Sequence, residues 1–229
     1  MKKNLFKLNN LLYSLISGLL LGFSWPTFGF TILIFISLIP LFFLEKSISQ
    51  DNYKFKKLRF FAYTFFSILI WNLITTWWLI NASVFGMIFA INHNAFFYSL
   101  LFLLFFSLKN VLKENARFIF FICLWICYEK INLNWEFSWP WLNLGNVFSD
   151  SIYWIQWYEY TGVFGGTLWV LIINVILFIA FNQYLENRDI KTLTRKIISP
   201  LIFILLPIIF SISIYLKIDD PKKEINVII

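Results

Sequence analysis

Four groups of residues in this sequence have types and spacings that could do chemistry. Asn92-His93-Asn94 lies inside a long uncharged run and holds the only histidine. Three polar residues at membrane depth are costly unless they are partnered or face water. They read either as a substrate groove or proton path, or as hydrogen bonds between helices. No intramembrane carboxylate stands obviously opposite the histidine, which favours the second reading. Glu129-Lys130 sits near the end of another apolar run. An acid and a base there read equally as a functional site or as shallow side chains that snorkel or pair locally. Cys123 and Cys127, four apart, share one helix face. With no nearby His, Asp or second cysteine pair they form no metal site, and they are expected to be small buried packing residues. The fourth group is Trp139-Pro140-Trp141-Leu142-Asn143-Leu144-Gly145. Its aromatics, rigid proline and glycine suit contact with acyl chains and headgroups, or alternatively a simple aromatic anchor.

These groups do not assemble into a catalytic set. A nucleophile needs a base and an orienting partner within reach, whereas the histidine and the cysteines lie in different apolar runs. Desolvation also disfavours the thiolate that a cysteine nucleophile needs. There is no phosphate loop, metal constellation or nucleotide fingerprint, so no metal and no cofactor is expected.

The elements that must position these residues follow from composition. The chain of 229 residues is 60% hydrophobic and 14% charged. Soluble domains of this size are about half apolar and about a quarter charged. The charges fall in short clusters between long uncharged stretches. Hydrocarbon-facing helices tolerate such stretches, because they need no polar stripe. The net charge of +7 does not point to nucleic acid, because the basic residues lie in short loops rather than on one continuous basic face.

A crossing helix needs roughly 20 apolar residues. The uncharged run Leu8 to Leu44 holds two short spans, about 8–24 and 28–44, parted at Ser24-Trp25-Pro26-Thr27-Phe28-Gly29. Proline lacks a donor there and glycine accepts turn dihedrals. Asn81-Ala82-Ser83 divides the next run into about 60–80 and 84–108, and three further spans are expected at about 117–134, 163–185 and 197–216. The sequence therefore predicts an all-α membrane protein, a bundle of about seven transmembrane helices over 1–216. Ser14, Gly18 and Gly22 recur every fourth residue in the first span, a spacing that lets two helices approach closely. A cleaved signal peptide is disfavoured, since Gly22-Phe23-Ser24-Trp25-Pro26 is a poor cleavage site and another span follows at once.

Orientation follows from the positive-inside rule. With the N-terminus inside, the inner segments carry Lys2, Lys3, Lys7, Lys46, Lys54, Lys56, Lys57, Arg59, Lys109, Lys113, Arg117, Arg188, Lys191, Arg195 and Lys196. The outer segments carry only Lys130, Lys217, Lys222 and Lys223. The C-terminus is then outside. The long outer segment, about 131–162, carries Trp135, Trp139, Trp141, Trp154 and Trp157 and reads as an interfacial shelf. The tail 217–229 looks like the opening strand of a soluble domain that does not arrive within this chain.

Several segments, taken in order, resemble the membrane portion of bacterial apolipoprotein N-acyltransferase. Gly22-Phe23-Ser24-Trp25-Pro26-Thr27-Phe28-Gly29 is similar to that family's turn between its first two spans. Trp71 to Phe85 resembles its third-span tryptophan signature. Trp125-xxx-Glu129 followed by Ser138-Trp139-Pro140-Trp141-Leu142-Asn143-Leu144-Gly145 resembles its Trp-xxx-Glu and Phe-Pro-Trp-xxx-Gly block. Gln156, Gly162-Val163-Phe164-Gly165 and Asn174 resemble the stretch that leads into its sixth span. Two departures stand out. Lys130 occupies a place where the family often has a short run ending in Arg, and Trp139 replaces the usual Phe.

The resemblance implies an enzyme in the bacterial inner membrane. It would move an acyl chain from a membrane phospholipid to a cysteine thioester, and then to the α-amino group of the diacylglyceryl-cysteine at a lipoprotein N-terminus. A Glu-Lys-Cys triad in an outer nitrilase-like domain would do this, and no residue here matches that triad. The expectation is a membrane anchor and lipid-access region, inactive by itself. Trp139, Pro140, Trp141, Asn143, Gly145 and Glu129 would face the substrate or lipid. Gly18, Gly22, Pro26, Gly162, Gly165 and Asn174 would be structural. The alternatives are a scaffold or split-enzyme subunit that works with a separate catalytic domain, and, less well supported, a small-molecule transporter.

Overall fold

The structure, a computed structural model, describes residues 9–52 and 54–217. The basic N-terminal residues Lys2, Lys3 and Lys7, and the tail expected to begin a strand, with Lys222 and Lys223, lie outside the described residues. Among those described there is no strand. The described residues include seven α-helices: α1 Asn10–Phe23, α2 Ile39–Gln50, α3 Lys56–Thr76, α4 Val84–Ser107, α5 Glu114–Asn132, α6 Tyr158–Asn187 and α7 Ile190–Tyr215. Their number agrees with the expected seven, while their bounds depart from the expected spans, most at α2, which starts at Ile39 rather than near 28. Five segments are long and apolar enough to cross a bilayer: Thr31–Gln50, Lys56–Asn81, Val84–Asn110, Tyr158–Asn187 and Ile190–Tyr215. The apolar helix Asn10–Phe23 is shorter. Charge sets α5 apart, for it holds Glu114, Arg117, Glu129 and Lys130.

The helix starts have local causes. Asn9 caps α1 by accepting from the Leu11 amide at 3.2 Å, and Ser83 caps α4 by accepting from the Gly86 amide at 3.1 Å. Each satisfies one of the amides that a helix N-terminus leaves unpaired. α1 lies tightly on α3. A Cβ at Gly18 would stand 2.6 Å from the Ser67 carbonyl oxygen, and one at Gly22 would stand 2.7 Å from Ile74 Cδ1. Small residues bring the two backbones together, as packing inside lipid requires when both solvent and side chains are apolar.

The second span is broken in a way the apolar run does not announce. A 3₁₀ helix, Thr31–Ile36, gives way at Ser37-Leu38 to α2, and such a break exposes backbone groups that hydrocarbon cannot satisfy. Three side-chain bonds repair it. The Leu38 amide donates to Asn174 Oδ1 at 2.9 Å, Asn174 Nδ2 donates to the Ile34 carbonyl at 2.8 Å, and Ser17 Oγ donates to the Ser37 carbonyl at 2.6 Å. Asn174 thus staples α6 to the break. A similar repair occurs in α7. Pro207 has no N–H to give the carbonyl four residues earlier, and Trp169 Nε1 donates to that Phe203 carbonyl at 2.7 Å.

The core is largely aromatic. Phe42 meets Phe102, Phe105, Phe118, Phe121 and Phe178 with ring centroids 5.3–6.4 Å apart. In hydrocarbon, transfer from water contributes nothing between helices, so close packing and oriented ring contacts hold this centre. α7 packs on α6 and on the 3₁₀ turn Ile152–Trp154, and most of its apolar surface is exposed.

Candidate functional site

Between α5 and α6 the chain forms an aromatic shelf built from three short 3₁₀ turns, Pro140–Leu142, Leu144–Phe148 and Ile152–Trp154. Such irregular backbone needs partners for its amides and carbonyls, and three helices supply them. Glu129 on α5 is fully buried. Its Oε1 accepts from the Leu144 amide at 2.8 Å and from Trp125 Nε1 at 3.0 Å, and its Oε2 accepts from Thr167 Oγ1 at 2.6 Å. Thr167 on α6 accepts in turn from the Gly145 amide at 3.1 Å. Tyr158 donates to the Gly145 carbonyl at 2.9 Å, and Tyr98 on α4 reaches the Leu142 carbonyl at 3.5 Å. Consecutive peptide groups from Leu142 to Gly145 are therefore gripped from three sides.

Glycine makes the grip possible at two points. A Cβ at Gly145 would overlap the Val163 carbonyl, so only hydrogen fits between shelf and helix. Gly162, at φ 64°, bends the chain between the first turn of α6 and its main body, a conformation costly for residues bearing a Cβ. The bend carries Tyr158 back over the shelf. Gly165 lies beside Thr161 and Trp157, and Pro26 sits half-buried in the turn that Gly29 closes at φ 76°.

The residues expected to face lipid divide into two sets. Trp141 is 56% exposed, and its ring meets Trp78 edge-on at 5.7 Å. Trp77, Ile80 and Phe85 are exposed on the neighbouring α3–α4 segment. Trp139 and Pro140 are half-buried. Glu129, Asn143 and Gly145 are buried; the Glu129 carboxylate and the Gly145 backbone face protein partners there, whereas the Asn143 side-chain amide is buried without a hydrogen-bond partner.

Three other expectations need correction. Glu129 and Lys130 do not pair and Glu129 does not snorkel: it points inward to neutral donors, while Lys130 is exposed with its ammonium 5.8 Å from the Phe164 ring centre. Cys123 and Cys127 are exposed rather than buried. Their shared face turns outward because Phe121, Trp125 and Tyr128 take the inner face of α5. His93 stacks among Phe97 at 4.7 Å, Trp135 at 5.0 Å, Phe89 at 5.6 Å and Phe137 at 5.8 Å. Asn92 donates to the Ile88 carbonyl at 2.8 Å within its own helix.

Thr167, Tyr158 and Tyr98 were not legible as site residues. Each is an ordinary hydroxyl, Tyr98 and Thr167 in apolar runs and Tyr158 in the Trp-rich segment, and only its place beside the shelf backbone gives it a role. Trp125 and Glu129 were singled out only through the family resemblance; as residues i and i+4 they are neighbours on α5, and the indole donates to the carboxylate. Among the described residues no group of three His, Cys, Asp or Glu side chains could hold a metal ion.

Comparison with known proteins agrees with this architecture. The family model for the apolipoprotein N-acyltransferase N-terminal domain matches residues 17–176, which includes the α1–α3 contact, the shelf and the start of α6. An apolipoprotein N-acyltransferase from Chlorobaculum tepidum (strain TLS) is 25% identical over 218 residues, which is 93% of this chain and 39% of that protein. The chain thus spans about two fifths of the length of the curated relative it matches. No solved structure matches. With the turn, the tryptophan signature, the Glu129-held shelf and the family match all falling in one order along the chain, this protein belongs to the apolipoprotein N-acyltransferase family through its N-terminal domain.

Proposed function

We propose that this chain is the membrane anchor and lipid-access region of an apolipoprotein N-acyltransferase. It crosses the bacterial inner membrane seven times, with its N-terminus on the cytoplasmic side and its C-terminus on the outer side. The whole enzyme moves an acyl chain from a membrane phospholipid to the N-terminal diacylglyceryl-cysteine of a lipoprotein. The Glu-Lys-Cys chemistry belongs to a soluble domain that lies over the shelf. In this reading the chain's own residues do no bond-making. They hold an aromatic platform where acyl chains enter and leave.

The observation that carries this reading is the contrast at Trp141. Its backbone neighbours are pinned by Glu129, Thr167, Tyr158 and Tyr98, while its ring stands exposed against Trp78. A rigidly held apolar side chain can position a lipid tail at small entropic cost. Glu129 is a positioning residue here, acting through the shelf backbone.

The test is acyl transfer by the complete enzyme carrying Trp141→Ala. Transfer is expected to fall by on the order of tenfold or more, the loss of one well-placed apolar contact of about 1.4 kcal/mol or more. Thermal stability should move by less than about 0.5 kcal/mol, as for other exposed positions. Unchanged transfer would sink the lipid-access role.

A further inference from the structure

At the shelf end of the bundle α6 and α7 part, and each departs there from a regular helix. Gly162, at φ 64°, turns the first residues of α6 out of line with the helix that follows. Pro207 lies inside α7, where its ring disturbs the turn before it. Between the two opens a groove of about 550 Å³, lined by Trp157, Tyr160, Thr161, Leu206, Pro207 and Phe210. Both ends of the groove are pinned. At one end Trp169 Nε1 donates to the Phe203 carbonyl at 2.7 Å. At the other the Gln156 amide donates to Ser211 Oγ at 2.6 Å, and Ser211 is fully buried. On each wall the lining residues fall between the two pins: those of α6 between Gln156 and Trp169, those of α7 between Phe203 and Ser211. The pins fix the spacing of the walls, so α7 cannot settle onto α6 and close the groove without breaking one of them.

The lining selects the occupant. Thr161 spends its hydroxyl on the Gly162 carbonyl at 3.2 Å, and Trp157 spends its indole N–H on the Trp154 carbonyl at 2.9 Å. A held water needs roughly two to four polar partners, and with those two groups spent the walls offer it little. The Tyr160 and Phe210 rings flank the groove with centroids 6.5 Å apart. Leu205, Leu206, Ile209 and Phe210 are exposed, so the mouth is continuous with the apolar surface of α7. Both helices are long and apolar enough to cross a bilayer, and this surface therefore meets hydrocarbon. The residues that follow α7 in sequence suit the groove poorly. Asp219, Asp220, Lys222, Lys223 and Glu224 are charged and would lose their hydration there. A slot of fixed width, apolar and open to the bilayer, matches an extended aliphatic chain.

We propose that the α6–α7 groove is a binding site for one acyl chain of a membrane phospholipid, separate from the surface around Trp141. The chain supplies the packing that the bend at Gly162 and the break at Pro207 deny to the two helices, and it braces the shelf end of α7. The inference rests on the membrane-spanning fold and not on acyl transfer.

The test uses the full-length polypeptide that carries this chain, reconstituted in phosphatidylethanolamine bilayers. The probe is phosphatidylethanolamine with a photoreactive diazirine in the middle of one acyl chain. After transfer to mild detergent and removal of bulk lipid, native mass spectrometry should find a retained probe molecule. Irradiation should then label Leu206, Pro207 or Phe210 about tenfold more than Leu205, Ile209 and Ile212 on the opposite face of α7, the ratio that a modest difference in affinity gives. Equal labelling of the two faces would mark unselective contact with hydrocarbon and overturns the proposal. Leu206→Trp fills the groove and should lower probe retention by on the order of tenfold, because volume forced into an occupied site is costly. Ile209→Trp adds the same ring to the other face and should leave retention unchanged. Equal loss in both variants, or loss in neither, also overturns the proposal. If Leu206→Trp fails to fold, the labelling of the unaltered protein decides alone. Trp141→Ala should leave retention and labelling unchanged, so a failure of the shelf reading is told apart from a failure here.

Discussion

Two buried carboxylates, one at each end of the bundle, are stabilised by opposite means. Glu45 is 3% exposed and meets charge, with Arg117 at 2.9 Å and Lys109 at 3.1 Å. Glu129 is 0% exposed and meets no cation; its three partners are an indole N–H, a backbone amide and a hydroxyl. The difference teaches what each end is for. Charge attraction falls slowly with distance, so the Glu45 cluster ties helices together while tolerating small displacements. Hydrogen bonds weaken steeply with angle, so the Glu129 network holds the shelf backbone in one geometry. The proposed lipid platform would benefit from the second arrangement, a bundle end from the first.

The comparison can be broken most directly at the charged end. Arg117→Met leaves Glu45 with Lys109 alone and should destabilise the protein by about 3–5 kcal/mol, read as thermal unfolding in detergent. Combining it with Glu45→Met should recover most of that loss, because replacing both members of a buried pair is often neutral. A single variant as stable as its parent would remove the contrast between the ends.

The neutral end should respond less in stability. Glu129→Gln keeps an acceptor for Trp125 and Leu144 but presents an amide N–H₂ to the Thr167 hydroxyl. A cost of about 1–3 kcal/mol is expected, with one buried hydrogen bond rearranged. Acyl transfer by the complete enzyme should nevertheless fall, because the shelf moves. A stability loss with transfer intact would show that Glu129 packs the bundle without positioning Trp141.

Lys46→Gln sharpens the comparison from another side. Its partner Glu186 is 54% exposed at the side chain, and exposed pairs contribute about 0–1 kcal/mol. Unfolding in detergent should shift by less than about 1 kcal/mol, far less than for Arg117→Met.

The smallest effect belongs to Asp189, a fully exposed carboxylate that caps α7. Its Oδ2 accepts from the Thr192 hydroxyl at 2.5 Å and its Oδ1 from the Lys191 amide at 3.0 Å. The Thr192 bond is the main cause holding its pKa below the usual value. A depressed folded value means the capping contribution is complete above the unfolded pKa, roughly 3.9, and is lost as pH falls through the lower folded value. Hydrogen exchange at the first turn of α7 should therefore quicken in that acid window and not above it. Asp189→Asn should remove the dependence.

Much of the fold was legible before any coordinates. Uncharged runs interrupted by Pro, Gly and charged clusters mark helices, because backbone satisfaction and apolar length are local properties. The Ser24–Gly29 turn, the Asn81–Ser83 break, the Trp125–Glu129 spacing and the family resemblance are read from neighbours in sequence. Residues far apart in the chain made the rest. Asn174 could be recognised as structural by resemblance, but its partners, Ile34 and Leu38, lie 140 and 136 residues away. Glu129 stood beside Lys130 in sequence and chose Thr167 and Leu144 in space. Arg117 was counted only as an inner basic residue, and its partner Glu45 lies 72 residues away. The cysteines faced outward because larger rings took the core. Helix and span are decided by what each short segment must hide from lipid. The partner of a buried polar atom is decided only when the helices have packed.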